Sequence, residues 1–355
     1  MIRRPKSCVS AASGARLFGR MFAFLAAANA TFFLVSTKPV ASALATTTSY
    51  VSFATKEGDL PVDSRRNGRR LRFDGLDDSR FRHPLDRDLT SFVRSAPLSK
   101  LAEQGIRRAM AVVEQGVRLD LLSSSVRVSP SQLPDLHRSL LEACRVLDLP
   151  VAPDLYVQSS SQANAYTLAL RGSDEKTPPI VVVTSALLDR CTEAEVQAIL
   201  GHELGHLKCE HSLYLTLGGL ASTPLRNLPF LGRSADDLLE RWRLAAEYSC
   251  DRAAMLVSQD SQVVNGAMLK LFSGTSKFSM STEAFVAQCQ EYDSLLRTAN
   301  PLVRASIRMQ QRTHPLPVRR VSELEKWANS EEYASILRTG TALESGEEEE
   351  EEDAV

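Results

Sequence analysis

The sequence predicts an α+β fold, mainly helical, with a short sheet packed beside one motif-bearing helix. Three observations lead there. Apolar residues recur at helical spacing through much of 91–340. Between them, Ile180-Val-Val-Val-Thr184 reads as a buried strand from its β-branched run. After that strand, Thr192 opens a helix carrying two histidines four residues apart.

In chain order, residues 1–45 contain Arg and Lys, are rich in Ser and Thr, and hold no acidic residue. That is the composition of a targeting segment. Met21–Thr37 is an uncharged run of 17 residues, short of the ~20 that a spanning helix needs. Ala43-Leu44-Ala45 then resembles a cleavage site. Three readings fit: a plastid or mitochondrial transit peptide, a secretory signal, or a short membrane anchor. Residues 46–90 follow as a charged linker, with eight Arg and eight acidic residues between 57 and 90. The body expected to fold is 91–340, and 341–355, with six Glu and an Asp at 347–353, reads as an acidic disordered tail.

Across 355 residues, 42 basic side chains stand against 43 acidic ones. The basic excess lies at the start and the acidic excess at the end, so the body is near neutral. It offers no electrostatic footprint for nucleic acid, which is not expected as a partner. The six Cys are scattered without a C-x-x-C and read as free thiols.

Within the body, Leu101, Ile106, Met110, Val113 and Val117 make a helical stripe between Leu98 and Leu122. Leu133–Leu147 repeats it up to Pro150 and Pro153. Leu155-Tyr-Val157 and Ala165–Leu170 read as short strands. Thr192-Glu-Ala-Glu195 is a capping box, since Thr192 can accept from the third helical amide while Glu195 reaches back. On this helix lies His202-Glu203-Leu204-Gly205-His206. Histidines four apart stand one above the other, so both imidazoles can reach one metal ion. Glu203 projects about 100° round the helix, toward a metal-bound water. Catalytic zinc needs three protein ligands and an open position. His211, five beyond His206, is a poor angular match on a continuing helix. Glu247 is the better candidate: it lies on a helix marked by Leu239, Trp242, Ala246, Cys250 and Ala253, with Asp251 one turn on along the same face. A carboxylate there suits the outer N–H of a ligating imidazole.

Together these residues resemble the HtpX-type and CAAX-prenyl-endopeptidase zinc metallopeptidases, over roughly 130–330. The resemblance rests on Asn164-Ala-Tyr166, His202-Glu-Leu-Gly-His206 with its flanks, Glu247-x-x-x-Asp251, and Thr313-His314-Pro315 followed by Arg320-Val321. Arg82-His-Pro-Leu-Asp86, Leu207-Lys-Cys-Glu-His211 and Cys250-Asp-Arg-Ala-Ala are similar to the soluble, plastid-targeted branch of plants and algae. What this implies is a zincin-like fold with one Zn2+ per chain, ligated by His202, His206 and Glu247. It also implies Glu203 as general base, with Asp251 supporting a ligating His. Asn164 and His314 would face the scissile carbonyl, and Arg320 would join them in stabilising the oxyanion.

The activity expected is a zinc-dependent metalloendopeptidase working on unfolded or extended protein segments, in quality control or turnover within an organelle. Substrate main chain would add to the strand near 165–170. The alternative is a zinc scaffold that binds or assembles other proteins with little hydrolysis. The resemblance favours the plastid, stromal or peripherally membrane-associated, over the mitochondrion or secretory pathway. One departure stands out: the body lacks the strongly hydrophobic membrane helices of these relatives. Its nearest approach, 213–232, contains Pro224, Arg226 and Pro229 and reads as a lid or as a surface for peripheral membrane contact. Cys209 and Cys250, each three residues after a ligand, read either as small buried thiols or as a redox pair.

Overall fold

The computed structural model describes residues 70–97, 99–168, 178–223, 231–310 and 316–343. In chain order the elements are β1 (Leu71–Arg72), a 3-10 turn (Asp78–Arg80), α1 (Pro84–Ser95), α2 (Ser99–Ser124), β2 (Ser125–Arg127), α3 (Pro134–Val146), β3 (Asp154–Gln158), β4 (Ala165–Leu168), β5 (Ile180–Thr184), α4 (Ser185–Arg190) and α5 (Glu193–Lys208). Then come α6 (His211–Ser222), α7 (Leu231–Ser258), α8 (Ser261–Ser273), α9 (Thr282–Thr298), α10 (Pro301–Gln310), α11 (Pro317–Ala328), α12 (Glu331–Thr339) and β6 (Thr341–Ala342). The mainly helical α+β expectation is met.

The larger sheet has the order β2-β3-β5-β4, parallel between β3 and β5 and antiparallel at the other two junctions. All five residues of β5 are buried. Val181 and Val183 join the main core with Leu155, Leu187 and Val196, while Ile180 and Val182 pack on Leu121 and Tyr156 behind the sheet. A strand covered on both faces has no solvent side, which is why its sequence is continuously apolar. β4 holds the edge, with Tyr166 opposite Val182. The short strand β2, which no sequence pattern announced, continues directly from α2 and pairs with β3.

The α5 helix starts at the predicted capping box: Thr192 Oγ1 accepts from the Glu195 amide at 3.3 Å, and Glu195 Oε2 accepts from the Thr192 amide at 2.7 Å. Nearly all of α5 is buried, and its most extensive partner is α7. Gly201 and Gly205 lie in that contact. A Cβ on Gly201 would stand 2.8 Å from Val257 Cβ and 3.2 Å from Ala254 Cα; one on Gly205 would stand 2.8 Å from Ala253 Cβ and 3.0 Å from Cys250 Cα. The two backbones approach closely because neither glycine has a side chain.

Residues 70–90 correct the expected linker over 46–90. They carry β1, the 3-10 turn and the start of α1, and β1 pairs with β6, just past the expected end of the body at 340. Part of the charge that reads as solvated is paired inside: Arg82 is 2% exposed and Asp86 fully buried. Their side chains meet at 3.0 Å, and buried charges of opposite sign that saturate one another's hydrogen bonds can remain inside. The segments 1–45 and 46–69, and 344–355 of the acidic tail, lie outside the described residues. Among the described residues no helix is long and apolar enough to cross a membrane.

The helix contact yields a test with an internal control. Alanine has higher helix propensity than glycine by about 1 kcal/mol, yet Gly205→Ala is expected to destabilise by about 1–3 kcal/mol through overpacking. Gly116→Ala in α2, where a Cβ meets nothing within 4 Å, should be neutral or stabilising. Denaturant-unfolding midpoints of the two variants, compared at equal slope, decide it.

Candidate metal centre

His202 and His206 project from α5 one turn apart, with ring centroids 5.2 Å from each other. Both turn Nε2 toward the Glu247 carboxylate on α7: His202 Nε2 is 3.6 Å from Oε2, and His206 Nε2 is 3.7 Å from Oε1. An ion bound tetrahedrally with bonds of about 2.1 Å separates its donors by about 3.4 Å. Two imidazoles and one carboxylate at these spacings therefore fit a zinc ion, leaving one position for water or substrate. Burial raises the Glu247 carboxyl, but its bond to His202 and the two imidazoles outweigh that and hold it well below the usual carboxylate range.

Behind His202, Nδ1 lies 3.0 Å from Asp251 Oδ1, so Nε2 is the nitrogen left for a metal. Asp251 is buried, and its second partner is Arg320, whose Nε and Nη2 donate to the two carboxylate oxygens at 2.9 and 2.5 Å. The Arg320 guanidinium thus lies against both carboxylates of α7, its Nη1 3.9 Å from Glu247 Oε2. Arg–carboxylate pairing of this bidentate kind is geometrically demanding, and α11 supplies it from a distant part of the chain.

Glu203, buried beside His202, has its carboxyl lifted above the ordinary value by burial. The Thr167 hydroxyl on β4 lies 2.7 Å from Glu203 Oε2 and 3.1 Å from the Glu203 carbonyl oxygen. The edge strand thus touches Glu203 directly, a contact that the sequence does not announce. Asn164 sits just before β4, its amide donating to Thr184 Oγ1 at 2.8 Å and its carbonyl accepting from the Thr184 amide at 2.9 Å. This pins the strand start near the motif helix. His314 lies outside the described residues.

His206 is supported differently. Its Nδ1 faces His211 Nδ1 at 3.1 Å, and His211 Nε2 faces Asp86 Oδ2 at 3.0 Å. His211 had been set aside as a ligand on the premise that the helix continues. It does not: α5 ends at Lys208, Glu210 takes a left-handed conformation (φ 48°, ψ 38°), and α6 begins at His211. The break turns His211 back onto His206. Cys209 and Cys250 are free, buried thiols, both pushed well up by burial. Cys250 Sγ approaches both ligating rings, but it rests 3.5 Å from His211 Nδ1, on the Nδ1 side of His206. Glu247 is the third donor that faces both Nε2 atoms.

Comparison with known proteins gives the family. Residues 130–237 match Peptidase family M48. The chain is 39% identical over 274 residues to the plastoglobule-localized metallopeptidase 48, chloroplastic, of Arabidopsis thaliana, covering 76% of this chain and 78% of that protein. Over 96 residues it is 34% identical to protease HtpX homolog 2 of Methanosarcina acetivorans, which covers 27% of this chain and 31% of that one. Among solved structures, S. mikatae Ste24p superposes over 61% of this chain and 54% of its own, at 17% identity and a TM-score of 0.34; so loose a match carries no argument. With both histidines, their supporting groups and a relative of this extent in view, the chain belongs to peptidase family M48 and is a metalloendopeptidase.

Proposed function

We propose that this chain is a zinc endopeptidase with one Zn2+ held by His202 Nε2, His206 Nε2 and the Glu247 carboxylate, and with Glu203 as general base. The observation that carries the reading is the convergence of both Nε2 atoms on Glu247 at 3.6 and 3.7 Å, one residue from a buried Glu203. Zinc at such a site supplies Lewis acidity to the scissile carbonyl and brings the pKa of its water toward about 7. Glu203 would take a proton from the attacking water and pass it to the leaving amine; the burial that lifts its carboxyl suits both halves of the transfer. Asp251, clamped by Arg320, keeps the His202 ring aimed. Asn164 and His314 would be the donors that stabilise the oxyanion at the scissile carbonyl, a reading supported by the resemblance of their motifs.

Substrate selection follows from β4. It is the edge of the sheet, and its Thr167 touches Glu203, so a peptide adding to it as a further strand would lie beside the proton-transfer group. Main-chain pairing favours extended or unfolded segments over folded domains. A targeting segment at 1–45, together with a relative named for the chloroplast plastoglobule, supports a plastid location and a role in protein turnover there. Peripheral membrane contact through 213–232 is part of the same reading, supported by the half-exposed Leu220 of α6.

Two measurements test this. Glu203→Gln should hold zinc with the stoichiometry of the unaltered chain yet cleave an unfolded protein at least about 10²–10⁴-fold more slowly. If both forms hold zinc and neither cuts, the chain acts as a scaffold and the peptidase reading of the centre is wrong. Asp251→Asn should weaken zinc affinity by about 10–100-fold, the usual scale for loss of a supporting carboxylate, read by competition with a chromophoric chelator. Unchanged affinity would remove Asp251 from the centre.

A further inference from the structure

The two blocks Arg82-His-Pro-Leu-Asp86 and Leu207-Lys-Cys-Glu-His211 are far apart in the chain, and the peptidase chemistry uses neither. In the fold they meet. Asp86 accepts from Arg82 Nη1 at 3.0 Å, Trp242 Nε1 at 2.9 Å and Ser249 Oγ at 2.7 Å, and it lies 3.0 Å from His211 Nε2. Arg82 also donates to the carbonyl of Cys209 at the end of α5, and Arg252 donates to the Arg82 carbonyl at 3.1 Å. Asp86, Cys209 and His211 stand close enough together to suggest a second cation site. The geometry argues against it, because the carboxylate is already filled by donors and a guanidinium occupies the position a cation would need.

We propose that His211, anchored by Asp86, is the positioning residue for the zinc ligand His206, and that residues 82–86 are thereby part of the metal centre. The inference rests on the ligand reading given above. Two ring nitrogens 3.1 Å apart can bond only if one carries hydrogen and the other does not. A His206 that gives Nε2 to zinc carries its hydrogen on Nδ1, so His211 Nδ1 must accept. The hydrogen of neutral His211 then sits on Nε2, where the Asp86 carboxylate accepts it. Reversing the direction would put a bare Nε2 of His211 against a carboxylate and leave His206 with no lone pair on Nε2 for zinc. One order of hydrogens satisfies every group, running from ligand to His211 to Asp86. Asp251 does for His202 directly what Asp86 does for His206 through one further ring.

The experiment uses the full chain and measures zinc affinity by chelator competition, with thermal unfolding in excess chelator to check that each variant is folded. His211→Leu removes the acceptor and is expected to weaken zinc binding by about 10–100-fold. His211→Asn offers Oδ1 near the position of Nδ1 and should recover most of that loss. Glu247→Gln serves as the control on the ligand set. If Glu247→Gln binds zinc as tightly as the unaltered chain, the ligand assignment fails whatever His211 does. If Glu247→Gln loses zinc while His211→Leu keeps it, or if His211→Asn is as weak as His211→Leu, the positioning role of His211 is overturned. Nitrogen-15 spectra of the zinc-loaded, unaltered chain read the same point without mutation. They should show His211 protonated at Nε2 and bare at Nδ1; the opposite tautomer would overturn the proposal.

Discussion

The close approach of α5 and α7 is the constraint on which the rest depends. The histidines lie on one helix and the Glu247 carboxylate on the other, so the distance between them is set by how near the backbones come. Gly201 and Gly205 line the contact at intervals of one turn, flanking His202 and preceding His206. Their missing side chains let Ala253, Ala254 and Val257 pack against bare backbone. Because interiors are close-packed and respond to single methyl groups, that geometry is stiff. Glu247 is carried to both Nε2 atoms on a helix seated against that bare backbone.

Concentrating ionisable groups inside costs solvation, and the arrangement offsets the cost by pairing. Asp251 is met by His202 and by both arms of Arg320; Asp86 is met by His211, Arg82, Trp242 and Ser249. Every supporting carboxylate thus has a cationic partner and a full set of donors. The pattern also divides labour between elements. α5 and α7 present the groups that can meet a metal, while α11 and the start of α1, with Arg82 just ahead of it, brace them from outside. The sheet contributes its edge, and through Thr167 it reaches Glu203 itself.

Legibility in the sequence followed the range of the interactions. The capping box, the i,i+4 histidines and the Glu247–Asp251 pair are local, set by helix geometry within one or two turns, and all appear where the sequence places them. Strand β5 is equally readable, because burial on both faces leaves a continuous apolar run. The residues 70–90 misled for the opposite reason. Charge density marks solvation on average, and the composition of a segment does not reveal that Arg82 and Asp86 will find partners on α5 and α7. Arg320 was recognised by its spacing from His314, yet its orientation toward Asp251 depends on how α11 packs.

What the sequence by itself determined was the mainly helical class, the motif helix with its cap, and a pair of imidazoles able to share one ion, because backbone periodicity alone fixes which side chains stand together within a helix. Only the tertiary structure decided how the centre is supported. The left-handed turn at Glu210 ends one helix, starts another and swings His211 onto His206. A segment that reads as linker supplies the Asp86 behind it. The Asp86–His211 contact joins residues 125 positions apart, and like the turn of His211 onto His206 it depends on packed volume and paired charge, which no local pattern encodes.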